Sequence, residues 1–188
     1  MLDHPRRLVT IAAIVGAVAL CAGWATGHGL TLGQIGADTS CTTPGDFVAA
    51  QTATSGGVSY TVPPGRWAIT SWSAAGGAKT GSEALVVFRP TDTPDEYEVV
   101  GSTSAHELSN SKNTFGAAIK VKGGDLIGFW AEAGSICALR TSDPGDTASI
   151  FFPSGVPTPG TTMTLYPGYA VGYRLNMKVT LTPRAAAP

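Results

Sequence analysis

Charged residues are scarce in this sequence, and neither sign is in excess. They make up 13% of the 188 residues, with 12 Lys and Arg against 13 Asp and Glu and a formal net charge of −1. Proteins that hold DNA or RNA carry a strong basic field, so this balance excludes nucleic acid as a partner. The 24 glycines and 13 prolines exclude a helical bundle. Hydrophobic residues, at 43%, are numerous enough to form a folded core.

Recognisable catalytic groups are also missing. The sequence has no G-x-S-x-G nucleophile motif, and His106 stands in a polar stretch that is typical of a solvated surface histidine. Glycoside cleavage needs two carboxyl groups that face each other. Glu132, which follows Phe129 and Trp130 in a predicted strand, is the best single acid, but no partner for it is evident. The sequence therefore predicts a protein that is not an enzyme.

Oxygen ligands for a cation are present but poorly spaced. Asp92, Asp95 and Glu96 form one acidic group, and Asp143 and Asp146 form another. Calcium binds such loop carboxylates, yet neither group has the spacing of an EF-hand. Short acids beside Gly, Pro and Thr are instead typical of turns. No metal ion and no cofactor are predicted, and a structural calcium ion is unsupported.

The N-terminus has the pattern of an export signal. Arg6 and Arg7 precede an uncharged apolar run over 8–23, as in secretory signal peptides, whereas a membrane span needs about 20 apolar residues. Cleavage after Ala25 would leave small residues at the two positions that the peptidase reads. We predict a signal helix and signal peptide over 1–25 and a secreted, extracellular protein. The alternative is a retained N-terminal membrane anchor, with the domain facing outside.

Export changes the interpretation of the cysteines. Cys21 would leave with the signal, and the mature chain would keep Cys41 and Cys137. Pairs of thiols are usually oxidised outside the cytosol, so we predict a Cys41–Cys137 disulfide. A bridge that closes a loop of roughly a hundred residues contributes at most about 4–5 kcal/mol in the chain-entropy model, because strain and residual structure in the unfolded chain reduce the figure.

The mature chain reads as a series of short strands. Segments rich in Val, Ile, Thr and aromatic residues alternate with Gly, Pro, Ser and Asp, and no window outside the signal has the spacing of an amphipathic helix. The sequence predicts an all-β fold, in which two antiparallel sheets pack as a β-sandwich of jelly-roll type. A closed barrel is the alternative. The predicted organisation is a flexible leader over 26–41, the sandwich over 42–183 and a frayed tail over 184–188.

Two local patterns predict how strands run and pair. From Tyr169 to Leu181 the odd positions are apolar and the even positions are mostly polar, which predicts one long strand with a single buried face. The segment Lys-Gly-Gly-Asp at 122–125 has the composition of a tight turn. It predicts a hairpin that pairs strands 114–121 and 126–132.

Aromatic rings supply the candidate binding site. Sugars stack on exposed rings while neighbouring polar groups fix their hydroxyls. In a regular strand, where side chains alternate between the two faces, Trp72 points away from the face that carries Ile69. Trp130 likewise points away from the face that carries Phe129. With Ile69 and Phe129 in the core, both tryptophans would face outward and form an exposed apolar patch, which normally marks an interface. The alternative is that a loop or a second sheet covers them.

Four segments carry a resemblance to known sequences: VPPGRWAITSWS (62–73), ALVVFRPT (84–91), GGDLIGFW (123–130) and GYRLNMKVTLTP (172–183). They resemble segments that recur in uncharacterised secreted proteins of high-GC Gram-positive and related soil bacteria, and the likeness spans most of the mature chain. The resemblance implies a secreted β-sandwich with the same two cysteines bridged. It implies no catalytic residues, because no activity is assigned to that group.

These patterns favour a binding role over catalysis. The first hypothesis is an extracellular module that recognises carbohydrate or cell-envelope material through Trp72 and Trp130. The second is a structural surface protein in which the same patch meets another copy of the chain. The third is a secreted polysaccharide-active enzyme. The ligand and the oligomeric state do not follow from the sequence, and a membrane is a partner only if the N-terminal segment is retained.

Overall fold

The structure is a computed structural model, and it describes residues 29–36, 39–40, 45–75, 81–133 and 138–185. The predicted signal peptide and all three cysteines lie outside these residues, so the cleavage site and the disulfide stay predictions. All regular structure in the described part is β-strand. That part contains no apolar helix long enough to cross a bilayer.

Fifteen strands form among the described residues. They are β1 (Leu30–Gly33), β2 (Thr39–Ser40), β3 (Phe47–Ala53), β4 (Arg66–Ala75), β5 (Ser82–Pro90), β6 (Glu96–Ser102), β7 (His106–Glu107), β8 (Lys112–Lys122), β9 (Leu126–Ala131), β10 (Ala138–Arg140), β11 (Thr147–Phe151), β12 (Thr162–Thr164), β13 (Tyr166–Val171), β14 (Tyr173–Leu175) and β15 (Met177–Pro183). Most of them coincide with the segments whose composition predicts strands, because β-branched and aromatic residues between turn-forming residues favour the extended backbone.

These strands build three sheets. A four-stranded sheet has the order β1-β15-β4-β8, and a small sheet has the order β14-β10-β2. The large sheet has the order β12-β6-β5-β9-β3-β11-β13, with β7 paired to β5 beside this path. Every recorded strand pairing is antiparallel. The predicted all-β class and the antiparallel sandwich are confirmed.

The main core lies between the four-stranded sheet and one face of the large sheet. Ile69 and Val179 enter it from the first sheet, and Leu85, Ile127 and Phe129 enter it from the second. All five side chains are at most 2% exposed. Full burial of one such side chain contributes about 1.5–3 kcal/mol, so contacts between the sheets are the principal source of stability.

The opposite face of the large sheet encloses a second core. Phe88 and Trp130 point to this side and pack with Met163 and Leu165. The two edge strands, β12 and β13, are consecutive in the chain, and only Leu165 separates them. The large sheet is therefore curled, with its edges close together and the second core inside the curl. We call residues 153–165, which close this curl, the strap.

Two described segments of the predicted flexible leader are strands of the fold. Both β1 and β2 fall within 26–41. β1 pairs with β15, so that Leu30 lies opposite Leu181, and β2 pairs with β10. Leu32 of β1 is buried in the main core. A strand of four residues is too short for its alternation to be recognised in the sequence, and its partner lies at the far end of the chain.

The predicted long C-terminal strand is wrong, because this region forms three strands in three different sheets. Gly172 separates β13 from β14 with a φ of +79°, a conformation that L side chains rarely adopt. Asn176 separates β14 from β15, and its side chain bonds to the backbone of Gly36. The predicted alternation holds in β15. It fails in β13, where Tyr169 and Val171 are exposed.

The turn at 122–125 exists but does not form the predicted hairpin. The Asp125 N–H donates to the Lys122 carbonyl, as in a tight turn. However, β8 belongs to the four-stranded sheet and β9 to the large sheet, so the chain crosses between sheets here. The reason is burial: β9 is buried on both faces and takes a central place in a covered sheet, whereas β8 has one exposed face.

Candidate binding surfaces

Trp72 is in the main core and not on the surface, so the expected exposed pair of tryptophans is wrong. Its side chain is 0% exposed. The alternation predicted otherwise because it assumed a regular strand, and β4 is irregular at Thr70. The register shifts against both neighbouring strands between Ile69 and Ser71. Ile69 and Trp72, three residues apart, therefore face the same side, as β-bulges commonly allow.

Trp130 points in the predicted direction but is covered. It lies on the opposite face from Ile127 and Phe129, as the alternation predicts. That face is the inside of the curl, where Trp130 is 7% exposed and shares the second core with Leu165. A ring closed off by the strap cannot stack on a sugar. Both tryptophan rings are therefore buried, as in the alternative in which other parts of the chain cover them.

The exposed rings are instead at the edge strand β13 and the end of β11. Phe152 is 41% exposed, Tyr166 is 56% exposed and Tyr169 is 62% exposed. The Phe152 and Tyr169 rings meet edge to face, with centroids 6.2 Å apart. Val171, at 50% exposed, continues this apolar area along β13. We call Phe152, Tyr166, Tyr169 and Val171 the aromatic surface.

An irregularity in β13 places these rings outside. Opposite β11, the register of β13 shifts between the pairs Ala148–Ala170 and Ile150–Tyr166. The inserted residues include Pro167, which has no N–H to donate, and Gly168, which has a φ of +63°. Proline and bulges are typical of sheet edges that do not pair with another strand. The sequence Tyr-Pro-Gly-Tyr was the available signal for this surface.

A wide pocket adjoins the aromatic surface. It has a volume of about 880 Å³ and lies between the strap and β13, with Tyr166 in its wall. The lining is rich in hydroxyl groups, which come from Ser154, Thr158, Thr161, Thr162 and Thr164. None of the residues that line it carries a charge. The pocket therefore offers hydrogen-bond donors and acceptors beside an exposed ring, without an ionic group.

A buried ion pair anchors the end of β13. The Asp146 carboxylate accepts the Arg174 Nε–H at 2.8 Å and the Ser55 N–H at 2.8 Å, and the Asp146 carbonyl accepts the N–H of Gly172. Burial opposes ionisation, but hydrogen bonds from Thr141, Arg174 and Ser55 outweigh it and lower the pKa of Asp146 to about 2. Hydrogen bonds to Asp146 therefore tie Ser55, Arg174 and Gly172 together next to the end of β13.

A buried carboxyl group that the sequence analysis missed lies elsewhere, in β5. Glu83 is 3% exposed, and burial raises its pKa well above the usual value. Its cross-strand partner is His106, whose ring stacks on Phe115 with centroids 4.3 Å apart. Glu132, the acid that the sequence favoured, is exposed and accepts the Ser82 N–H. The signal for Glu83 was its place directly before the apolar run 84–88.

The acids considered for calcium serve the turns in which they lie. Asp143 Oδ1 accepts the Gly145 N–H at 2.9 Å, and Glu96 accepts the Thr91 hydroxyl at 2.9 Å. Asp95 has a φ of 59° within its turn. Within the described ranges no group of three or more His, Cys, Asp or Glu is arranged to hold a metal ion.

Comparison with known proteins assigns no family. The sequence matches no protein-family model, no curated protein and no solved structure. The resemblance to secreted bacterial proteins therefore stays a prediction, and the function has to be inferred from the chemistry of the surfaces themselves.

Proposed function

We propose that this protein is an extracellular binding module that recognises carbohydrate or cell-envelope material through the aromatic surface and acts without catalysis. The observation that carries the proposal is the position of three exposed rings, Phe152, Tyr166 and Tyr169, beside an uncharged pocket rich in hydroxyl groups. Monomeric proteins rarely expose such rings together unless they bind something.

The chemistry of the site fits a neutral sugar chain. Aromatic faces cover the apolar C–H faces of sugar rings, and a few placed polar groups orient the hydroxyls. Tyr166 lies in the pocket wall, while Phe152 and Tyr169 extend the ring surface beyond the pocket. The pocket lining includes no carboxyl group and no imidazole to serve as an acid or base. Binding, and not bond cleavage, is what these groups support.

The proposal includes export and the Cys41–Cys137 disulfide. β2 and β10 pair so that Ser40 lies opposite Ala138, and these residues are the sequence neighbours of the two cysteines. Directly opposed residues of antiparallel strands are close enough for a bridge. Cleavage after Ala25 would leave β1 paired with β15.

Retention on insoluble polysaccharide tests the proposed function. The protein is incubated with cellulose, with chitin and with isolated bacterial cell wall, and the bound fraction is measured. We expect retention on at least one of them, and a loss of about tenfold in affinity in the double variant Tyr166→Ala, Tyr169→Ala, since each ring contact is worth about 0.5–1.5 kcal/mol. Leu30→Ala, an exposed apolar residue on the four-stranded sheet, is the control and should bind normally. Absence of retention by the parent on all three materials would refute the proposal.

One observation favours a second function, self-assembly. The aromatic surface exposes four large apolar side chains, and an exposed apolar patch of this kind can meet the same patch on another copy of the chain. Gel filtration with light scattering separates the two functions. A mass that rises with protein concentration, and falls again in Tyr166→Ala, Tyr169→Ala, would favour assembly, whereas a constant monomer mass together with polysaccharide retention would favour recognition.

A further inference from the structure

The four-stranded sheet carries basic residues and no acidic ones. Its strands β1, β4, β8 and β15 contain no Asp or Glu, although the chain as a whole has 13. The same strands carry the cations Arg66, Lys112, Lys120, Lys122 and Lys178. A net charge of −1 therefore hides a segregated distribution, with one cationic sheet balanced by acids elsewhere.

Several of these cations converge at one end of the sandwich. A pocket of about 200 Å³ is lined by Arg66, Arg89, Lys120, Lys122 and Arg184, with Val121 as its apolar member. Arg66 and Lys122 lie directly opposite each other on β4 and β8. Arg184, just after β15, donates its N–H to the Arg66 carbonyl. Three adjacent strands thus end in three cations side by side. We call these five residues the cationic pocket.

This arrangement costs stability. Like charges directly opposite on neighbouring strands are destabilising, and among the described residues only Arg89 of the five forms an ion pair. Lysines on an edge strand are a known defence against unwanted strand pairing, which accounts for Lys120 and Lys122, because β8 is an edge. It does not account for Arg66, which lies on an interior strand, or for Arg184.

Asp125 pairs with only one of these cations, Arg89, and a second acid, Glu98, lies directly opposite Arg89 on β6. Asp125 is fully buried, and it binds Arg89 through two parallel hydrogen bonds of 2.8 and 3.0 Å. It also accepts the Lys122 N–H at 2.9 Å. The guanidinium of Arg89 is thereby held in place at the mouth, with 28% of its side chain exposed. One member of the cationic pocket is therefore held in place by an ion pair, whereas the side chains of the other four are exposed.

We propose that the cationic pocket binds a linear polyanion whose charged groups are phosphates. Arginine forks match the geometry of phosphate oxygens, and the pocket contains three of them. Because its side chains are largely exposed, solvent screens their charges and each ionic contact contributes little binding free energy. A single small anion would therefore bind weakly, and a ligand with several linked charges is needed for affinity. Nucleic acid is disfavoured, since no aromatic ring is exposed on this sheet to stack bases.

This inference does not depend on the proposed sugar-binding function. The cationic pocket is formed by the four-stranded sheet together with Arg89 of β5, and the aromatic surface is formed by β13 and the end of β11. No residue belongs to both. Failure of one assignment therefore leaves the other intact, and separate variants can test them.

Binding to long-chain inorganic polyphosphate tests the inference. The dissociation constant of the mature protein is measured over about 50–200 mM salt by anisotropy of labelled polyphosphate, because ionic contacts release counterions and weaken with salt. The test variant is Arg66→Ala, Lys122→Ala. Arg140→Ala, Lys112→Ala removes the same charge away from the pocket and is the control. Melting temperatures of both variants confirm that they fold.

We expect the parent to bind and the test variant to lose at least about tenfold in affinity, with a salt slope reduced in magnitude by about one to two. The control should change by less than about twofold. The inference is overturned if the parent does not bind polyphosphate or if both variants bind alike. Orthophosphate bound as tightly as the polymer, or a single-stranded oligonucleotide of equal charge bound more tightly, would also overturn it.

Discussion

The aromatic surface and the cationic pocket each lie beside a buried aspartate paired with an arginine, but the two pairs differ. At the aromatic surface, Arg174 is only 12% exposed and binds Asp146 through one nitrogen. At the cationic pocket, Arg89 is 28% exposed and binds Asp125 through two. The first pair is enclosed and joins segments of chain, whereas the second presents its arginine to solvent. The difference indicates that Asp146 supports the fold and Asp125 supports a surface.

The largest loss of stability is expected for Asp146→Asn, in the enclosed ion pair. Removal of one charge from an enclosed pair leaves Arg174 buried without its counter-ion, which costs about 3–5 kcal/mol. Urea denaturation at pH 7 measures this loss. We expect the loss for Asp125→Asn to be smaller, because Arg89 keeps partial access to water. Equal losses for the two variants would contradict the distinction.

The pH dependence of stability tests the Asp146–Arg174 pair in a second way. Because the pKa of Asp146 is lowered to about 2 in the folded protein, its contribution to stability is complete above its unfolded pKa of about 3.9. The contribution is lost as the pH falls from there through about 2. The stability difference between the parent and Asp146→Asn should therefore shrink over this range. A constant difference down to pH 2 would show that folding does not lower the pKa of Asp146.

The disulfide is expected to have the next largest effect. Cys41→Ser should lower the free energy of unfolding by about 2–4 kcal/mol and the melting temperature by several degrees, because the unbridged chain gains entropy when unfolded. A reducing agent should lower the melting temperature of the parent in the same way and leave that of Cys41→Ser unchanged. Non-reducing mass spectrometry that finds both thiols free would contradict the bridge.

Glu83 and Arg89 allow a comparison of two charged residue types within the single strand β5. Glu83 and Arg89 share a face of β5, but Arg89 has an acid partner and Glu83 has no ion pair among the described residues. Burial raises the pKa of Glu83, so stability falls as the pH rises above the unfolded pKa toward the folded one. Glu83→Gln should add about 1–3 kcal/mol at pH 7 and nothing near pH 4. The exposed Glu107→Gln is the control, and an equal gain at both pH values would contradict this account.

The smallest effect on stability is expected at the aromatic surface itself. Tyr166→Ala and Tyr169→Ala remove rings that are more than half exposed, so each should change the free energy of unfolding by less than about 0.5 kcal/mol. Thermal denaturation measures this change. A loss of several kcal/mol would show that the rings are structural and would remove the basis for a binding role.

The sequence predicted the fold class and most strands because those depend on local composition. The apolar run 84–88 and the alternation in β15 identify strands without knowledge of their neighbours. The sequence did not predict β1, because the burial of this strand depends on its pairing with β15, more than a hundred residues later in the chain. The three-way division of the C-terminal strand depends on Gly172 and Asn176, whose effects on direction are set by tertiary contacts.

The candidate sites were harder to predict because exposure depends on irregularity and on distant segments. Trp72 turned inward at a register shift near Thr70, and Trp130 was covered by the strap. Tyr166 and Tyr169 became exposed through the bulge at Pro167. The clustering of basic residues likewise follows from which strands are neighbours, and a net charge of −1 carries no information about it.

The central claim is that the two surfaces are separate binding sites with different ligands. A crossed measurement tests it most directly: polysaccharide retention and polyphosphate affinity are both determined for Tyr166→Ala, Tyr169→Ala and for Arg66→Ala, Lys122→Ala. The account predicts that the first variant loses only polysaccharide retention and the second loses only polyphosphate binding. The claim of two independent sites would be contradicted if either variant, while still folded, lost both polysaccharide retention and polyphosphate binding. It would also be contradicted if the tyrosine variant kept polysaccharide retention and the Arg66, Lys122 variant kept polyphosphate binding.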